Sequence, residues 1–453
     1  MPGPRNLPLV ASLCALVLTS ASLPFAANAA VGDLADVRIS ELLETYRQLH
    51  AHPELSYQEE NTSGLLAARM RSLGFEVTER FGRYTEPGRT SFGLVAVLEN
   101  GTGPTLLIRT DLDGLPVEER TGLEYASRAR ARDDQGNDVA AMHACGHDLH
   151  MTVWLGTATL LAEHRDRWRG TLVMIGQPAE ERGAGARAML DAGLYEKFGR
   201  PDYALALHAN AALPAGSVGL RSGYALANVD SVDVKILGVG GHGAYPHTTI
   251  DPIVIAAQVV VGLQTIVSRK IPPLDPSVIT VGSIHGGTKH NVIPDEVDLQ
   301  LTVRSYKPEV RAALLEGIRR TAREIARAGG VPDERLPVVT VHEEEFTPAT
   351  FNDPGLTSRL ETIFSAALGP ENVIAVDPVM GGEDFGRFTL EDRSVPLTLF
   401  WLGAVDPAAH EEARRTGQPL PSLHSPLFAP LPAPAIRTGV TAMTAAALEL
   451  MAR

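Results

Sequence analysis

The feature that most restricts what this chain can fold into is a set of ligand-type side chains split between two short stretches. These are Met142-His143-Ala144-Cys145-Gly146-His147-Asp148-Leu149-His150 and, beyond an apolar run, Pro178-Ala179-Glu180-Glu181. A thiolate and a neutral imidazole are strong ligands for zinc-like borderline metals, and a carboxylate completes the set. Two adjacent glutamates do not ordinarily take the same role. One can bind the ion while its neighbour holds a water and removes its proton, the division of labour in metal-assisted amide hydrolysis. Read singly, Cys145 is a small buried hydrophobe, His147 a hydrogen-bonded loop histidine and the glutamates solvated charges. Read together, in loops that contain glycine, they point to a divalent-metal site, and the fold has to bring both stretches to one place.

The periodicity supplies such a fold. Apolar residues at mostly helical spacing predict helices over 34–50 and 59–73. Strand-like runs follow at 92–98 and 105–109, the second leading into Thr110-Asp111-Leu112-Asp113-Gly114. A helix is expected over 153–164, a strand over 171–175, a helix over 183–190 and a strand over 203–207 that ends at His208. Strand, polar loop and helix in repetition imply an α/β fold, a largely parallel sheet with helices on both faces. Sites of such sheets lie past the carboxyl ends of strands. Cys145, Glu181 and His208 are therefore expected at one sheet edge, with Asp111 and Asp113 as metal-binding, supporting or merely turn-forming residues.

The pattern changes near Gly223. Alternating strands at 229–237, 277–281, 296–303 and 337–342 are interleaved with helices at 252–269 and 308–328, the βαββαβ order of a small α+β domain. The expected organisation is a catalytic domain in two parts, 30–223 and 346–453, with an inserted domain at 224–345. Gly238-Val239-Gly240-Gly241-His242-Gly243 has a dinucleotide-binding spacing, but Tyr245-Pro246-His247 stands where a helix should open, so no such cofactor is expected. No Gly-x-Ser-x-Gly elbow is present. Later, Glu383 and Asp384 follow a glycine pair, as in a loop that closes on substrate, His424 lies in a proline-flanked turn, and 434–452 reads as a closing helix.

The N-terminus has Arg5, an apolar run over 7–25 and Ala27-Asn28-Ala29, the layout of a secretory leader over 1–29 cleaved after Ala29. The expected location is periplasmic or secreted. Cys145 is then the lone mature cysteine, so an intramolecular disulfide is impossible and metal ligation would protect the thiol. No later apolar stretch reads as long and charge-free enough to cross a bilayer. A formal charge of −14 argues against nucleic-acid binding.

From about His50 to the C-terminus these motifs resemble the M20 metallopeptidases, and within them the amidohydrolase branch of hippurate hydrolases, N-acyl-amino-acid hydrolases and plant auxin-conjugate hydrolases. The resemblance is carried by His52-Pro53-Glu54, Thr110–Gly114, His143-Ala144-Cys145-Gly146-His147-Asp148, Gln177–Glu181, Gly241-His242-Gly243-Ala244-Tyr245-Pro246-His247, Asn291-Val292-Ile293-Pro294, Gly382-Glu383-Asp384-Phe385 and Leu423-His424-Ser425-Pro426. It implies a zinc-peptidase-like α/β fold with an inserted lid or dimerisation domain, and hydrolysis of N-acyl or N-aroyl amino acids. It also implies two divalent metal ions per subunit (Zn, Mn, Co or Ni) held by Cys145, His147, Glu181, His208 and His424, with Glu180 as general base and acid. The peptidase branch has His-x-Asp where this chain has Asp111-Leu112-Asp113, so His147 is expected to supply the missing imidazole and Asp113 to support the ligands from behind. His242 matches the histidine that polarises the scissile carbonyl, often across the interface of a homodimer, while Asn291 and Arg304 match positions that receive the substrate carboxylate. Two departures, Leu149 for a glycine and Ala209-Asn210-Ala211-Ala212 for an aromatic residue with proline, leave the substrate open. A dipeptidase or aminopeptidase-like enzyme is the alternative; a non-catalytic metal binder would not need Glu180.

Overall fold

The computed structural model describes Met1, Gly3 and residues 25–452. The apolar leader run falls outside the described residues, apart from its last residue, Phe25, and Ala27-Asn28-Ala29 lies on the first turns of helix α1 (Phe25–Ala51), which begins nine residues before the expected start at Leu34. The chain continues through α2 (Glu60–Ser72), β1 (Glu76–Thr78), β2 (Leu94–Asn100), β3 (Thr105–Asp111), α3 (His147–Glu163), β4 (Gly170–Gln177), α4 (Gly185–Asp191), β5 (Tyr203–Pro214) and β6 (Val218–Leu220). A second unit holds β7 (Asn228–Leu237), α5 (Pro252–Lys270), β8 (Ser277–His285), β9 (Glu296–Ser305), α6 (Pro308–Ala328) and β10 (Val338–Val341). The first unit then resumes with α7 (Pro354–Leu368), β11 (Val373–Ala375), β12 (Leu397–Val405) and α8 (Pro432–Leu450).

The main sheet has eight strands in the order β1-β2-β4-β3-β5-β12-β6-β11. Its centre, β4-β3-β5-β12, is parallel, but β1 with β2, β2 with β4 and β12 with β6 pair antiparallel. The sheet is therefore mixed, more so than the repeating strand–helix pattern implied. The central strands are buried on both faces and so read as unbroken apolar runs, Leu106-Leu107-Ile108 in β3 and Leu399 through Ala404 in β12. Helices α1, α3, α7 and α8 share one core with one face, and α4 with the Asp384–Thr389 turn packs on the other.

Register aligns the ends of three strands. Arg109 of β3 lies level with Ala206 of β5, and Asp111 with Gln177 of β4, which places Asp111, Gln177 and His208 on one line across the sheet. Sequence reading ended the fifth strand at His208; it runs on to Pro214, with His208 held level with Trp401 inside it. Helix α3 begins at His147, six residues before the expected Val153, so Cys145 sits at a helix N-terminus and not at a strand end. Gly146 makes that entry possible: its φ is +84°, and a Cβ there would come within 2.9 Å of Ala209 Cβ.

The inserted unit is an antiparallel sheet, β8-β9-β7-β10, whose alternation places Val232, Val234, Ile236, Val297, Leu299, Leu301 and Val303 in a core shared with α5 and α6. One expectation fails here. Helix α5 is long and apolar enough to cross a membrane by length and composition, with mean hydropathy 1.5 over the qualifying window. Ile255, Val259, Leu263 and Ile266 pack into the core, but Ile253, Val254 and Val261 stand exposed on another face.

Candidate active site

Four segments place the ligand-type side chains. Cys145 and His147 come from the start of α3, Glu180 and Glu181 from a tight turn (Glu180–Arg182) after β4, His208 from β5, and His424 from a turn held against the Cys145 loop by a hydrogen bond from its own N–H to Ala144 O, 2.9 Å. Cys145 Sγ lies 3.5 Å from His208 Nε2 and 3.2 Å from His424 Nε2. Glu181 Oε1 lies 3.7 Å from His424 Nε2 and 3.9 Å from His147 Nε2, and Glu180 Oε2 is 3.7 Å from His147 Nε2. Residues from positions 145 to 424 thus converge within ligand-sharing distance.

The hydrogen bonds fix which atoms are free to bind. His147 Nδ1 donates to Asp113 O at 2.7 Å and His208 Nδ1 to Ala209 O at 2.8 Å, so each presents Nε2 to the cluster. His147 Nε2 and Glu181 Oε1 are buried and have no hydrogen-bond partner. Buried polar atoms are rarely left so, and these two face a thiol and further imidazoles, which is what a cation between them would satisfy. The residues fit the two-metal set. His150, adjacent to the cluster, is committed elsewhere: Nε2 accepts Ala209 N–H at 2.7 Å and Nδ1 faces Asp111 Oδ1 at 2.7 Å. Asp111 is in turn bound by Arg109 Nη1 at 2.6 Å, so Asp111 and His150 brace the cluster from behind, although with His147 their ligand atoms also lie close enough to share an ion.

Asp113 does the same for the glutamate turn. Its carboxylate accepts Ser56 Oγ–H at 2.6 Å and the N–H groups of Glu180 and Glu181 at 3.2 and 3.1 Å. Glu383 and Asp384, read as a substrate-closing pair, are buried against Arg109, with Glu383 Oε1 at 2.7 Å and Asp384 Oδ1 at 3.3 Å. Arg109, with Gln177 on its Nε at 2.9 Å, is a hub that sequence reading missed. A charge closing an otherwise apolar buried strand was the available signal.

Negative charge is in excess. Burial, then the carboxylates of Glu383, Glu181 and Asp384, push Glu180 well above the usual carboxylate range, against Arg109. Burial pushes Glu181 up to about 7 while His147 opposes it, and burial with Glu181 and Glu180 pushes the Cys145 thiol up. Burial holds His208 and His424 below the ordinary imidazole value, leaving neutral rings as ligands. For His147 burial acts the same way, but Asp111, Asp113 and Glu181 outweigh it and raise it to about 10. A divalent cation at Cys145 would invert this balance, displacing protons from thiol, carboxylate and imidazole together.

The cluster opens into a cleft of about 1320 Å³ lined by Cys145, Glu180, Glu181, His208, Trp401 and His424, and on the inserted side by Val229, Ser231 and Arg304. Arg304 Nη1 donates to Met380 O at 2.7 Å. His242 and Asn291 are not brought to this cleft. They sit together on the short pairing of Gly241–His242 with Val292–Ile293, where His242 is exposed and its Nδ1 accepts Ala244 N–H at 3.0 Å.

Residues 107–416 match the peptidase family M20/M25/M40. The chain belongs to that family. It is similar to thermostable carboxypeptidase 1 of Saccharolobus solfataricus (37% identity, 81% of this chain and 87% of the relative). It is also similar to the IAA-amino acid hydrolase ILR1-like 4 of Arabidopsis thaliana (35%, 84% and 79%) and to N-acetylcysteine deacetylase of Bacillus subtilis (34%, 80% and 88%). Among solved structures, a dinuclear metal-binding peptidase of the M20 family from Bacillus subtilis superimposes with a TM-score of 0.72 at 28% identity, covering 92% of this chain and 99% of that one. The protein is therefore a hydrolytic enzyme of the M20 family with a fold and ligand groups of the dinuclear type.

Proposed function

We propose that the enzyme hydrolyses the amide bond of N-acyl or N-aroyl amino acids, releasing a carboxylic acid and an amino acid. The observation that carries this reading is the Glu180–Glu181 turn. Glu181 directs an unpartnered, buried oxygen at His147, His424 and Cys145, while Glu180 lines the cleft beside them. When bound, two divalent ions at Cys145, His147, Glu181, His208 and His424 supply Lewis acidity at the scissile carbonyl and the attacking water. Glu180, lining the cleft beside the ligands, takes the proton from that water and returns it to the leaving nitrogen. Arg304, half-buried in the cleft wall and tied only to a carbonyl, is suited to a substrate carboxylate.

His242, in this reading, reaches the site from a second copy of the chain. The inserted domain carries an exposed apolar face on α5 (Ile253, Val254, Val261) and the open edge strand β8, both suited to a homodimer contact. We place the enzyme in the periplasm or outside the cell, on the strength of the N-terminal leader pattern and of a lone mature cysteine shielded at the site. The carboxypeptidase relative favours peptides as a second substrate class.

The test is reconstitution with Mn, Co, Ni or Zn against a panel of N-acyl amino acids and free dipeptides. Turnover of blocked amino acids without need of a free α-amine is the expected outcome. Turnover confined to substrates with a free α-amine would assign the peptidase reading instead.

A further inference from the structure

The turn that presents Glu180 and Glu181 is itself held by a residue far from it in sequence. Glu59, fully buried at the start of α2, accepts Tyr57 N–H at 3.0 Å and, across 120 residues, Ala179 N–H at 2.8 Å, both through Oε1. Together with Asp113 on the next two N–H groups, two buried carboxylates claim three successive backbone donors, those of Ala179, Glu180 and Glu181. The acceptors of the turn are used as well: Ala179 O takes Ala184 and Gly185 N–H, and Glu180 O takes Gly183 N–H at 2.7 Å.

The conformation so held is one that the residue would not choose. Ala179 has φ +49° and ψ +44°, left-handed backbone that an L-residue with a Cβ disfavours. No side chain of Ala179 can compensate by hydrogen bonding, as an asparagine might. The next peptide groups carry the base and the ligand, so a return of Ala179 to right-handed or extended backbone would swing both carboxylates away from Cys145, His147 and His424. Space leaves little slack: a Cβ on Gly185 would lie 1.6 Å from Pro178 O, so the chain passes over itself at this point. Strained backbone of this kind persists where surrounding groups over-determine it.

We propose that Glu59 is a positioning residue of the active site: by capturing the Ala179 N–H it locks the left-handed turn that aims Glu180 at the substrate and Glu181 at the metal. The proposal rests on the roles given to Glu180 and Glu181 above. Metal affinity, which needs no knowledge of the substrate, separates its failure from theirs.

Three variants of the full-length metal-loaded enzyme make the test, each read by kcat, KM and metal affinity in chelator competition. Glu59→Ala is expected to lower kcat about 100-fold with KM within about threefold, and to weaken metal binding about tenfold, in line with losses on removing supporting partners of metal ligands. Glu59→Gln keeps an acceptor oxygen for the Ala179 N–H and should stay within about fivefold of wild type. Glu59→Ala/Ala179→Gly should regain at least about tenfold in kcat over Glu59→Ala, because glycine takes the left-handed conformation without a lock. A residue that merely stabilises α2 would show no such rescue. Wild-type kcat and metal affinity in Glu59→Ala, or a double variant no better than the single one, would overturn the assignment. Should Glu59→Ala not fold, Glu59→Asp, one methylene short of Ala179, takes its place; kcat and metal affinity equal to those of Glu59→Gln would then reject the proposal.

Discussion

At the end of the parallel central strands, side chains around Cys145 are held by other groups: His147 by Asp113 O, His208 by Ala209 O, the glutamate turn by Asp113 and Glu59. On the inserted domain, His242 stands exposed on a two-residue strand pair, outside the cleft, its ring accepting the N–H two residues on. The difference matches two different tasks. A metal set has to be in place before substrate arrives, and rigid supports give it that geometry at no further cost in ordering. A residue that acts only in the closed complex has to remain free to travel, and belongs on a surface loop of a separate unit. The comparison teaches where to look for each kind of residue: ligands mainly among buried, braced side chains, with His424 the exposed exception, and delivered groups among exposed ones on the separate unit.

The largest expected effect lies on the rigid side. Glu180→Gln should lower kcat by about four orders of magnitude, the upper range for losing a general base, with metal content near two ions per subunit. Loss of metal in this variant, with retention in Glu181→Gln, would exchange the two roles. On the exposed side, His242→Ala should cut kcat about 100-fold while metal content stays unchanged, the scale of losing one oxyanion donor. Mixing His242→Ala with Glu180→Gln subunits should restore activity on subunit exchange, because in the proposed homodimer each mixed pair regains one complete site. No recovery after demonstrated exchange would place His242 in its own chain's site and break the contrast drawn above.

The smallest effect concerns the support behind the metal loop. His50 is buried between Asp148 Oδ2 at 2.6 Å and Glu119 Oε1 at 3.1 Å; burial disfavours its charge, but the two carboxylates outweigh that and raise it from 6.5 to about 10. A raised folded value stabilises the fold fully below pH 6.5, and that contribution is lost as pH rises through about 10. Asp148 and Glu119 are lowered, burial opposing and their bonds to His50 prevailing, so their share is present above their ordinary values and lost as pH falls below them. Denaturant titrations should therefore show stability falling between pH 6.5 and 10 in wild type. The slope should be reduced in His50→Gln; an unchanged slope would remove His50 from the account.

How much of this was legible beforehand depended on sequence distance. Cys145 with His147, and Glu180 with Glu181, are close pairs whose spacing carries chemistry on its face, and the period-two strands of the insert announce their buried side as plainly. The supports do not. Glu59 meets Ala179 across 120 residues and Arg109 meets Glu383 across 274, and nothing local marks a glutamate or arginine as a partner for such a contact. Gly381 through Asp384 do line the cleft, as a substrate loop would, but nothing local announces that Glu383 and Asp384 are buried against Arg109. Helix α3 was started late because Asp148 and His150 read as loop polarity, whereas each has a buried partner in His50 and Asp111.

The central claim is that Cys145 is a metal ligand, and the sequence has only one other cysteine, Cys14, so peptide mapping allows a direct measurement. Alkylation of the metal-loaded enzyme followed by mass spectrometry should leave Cys145 unmodified, and prior removal of the metal by a chelator should expose it to rapid labelling, because a metal-bound thiolate is not free to attack. Equal labelling rates with and without chelator would contradict the account.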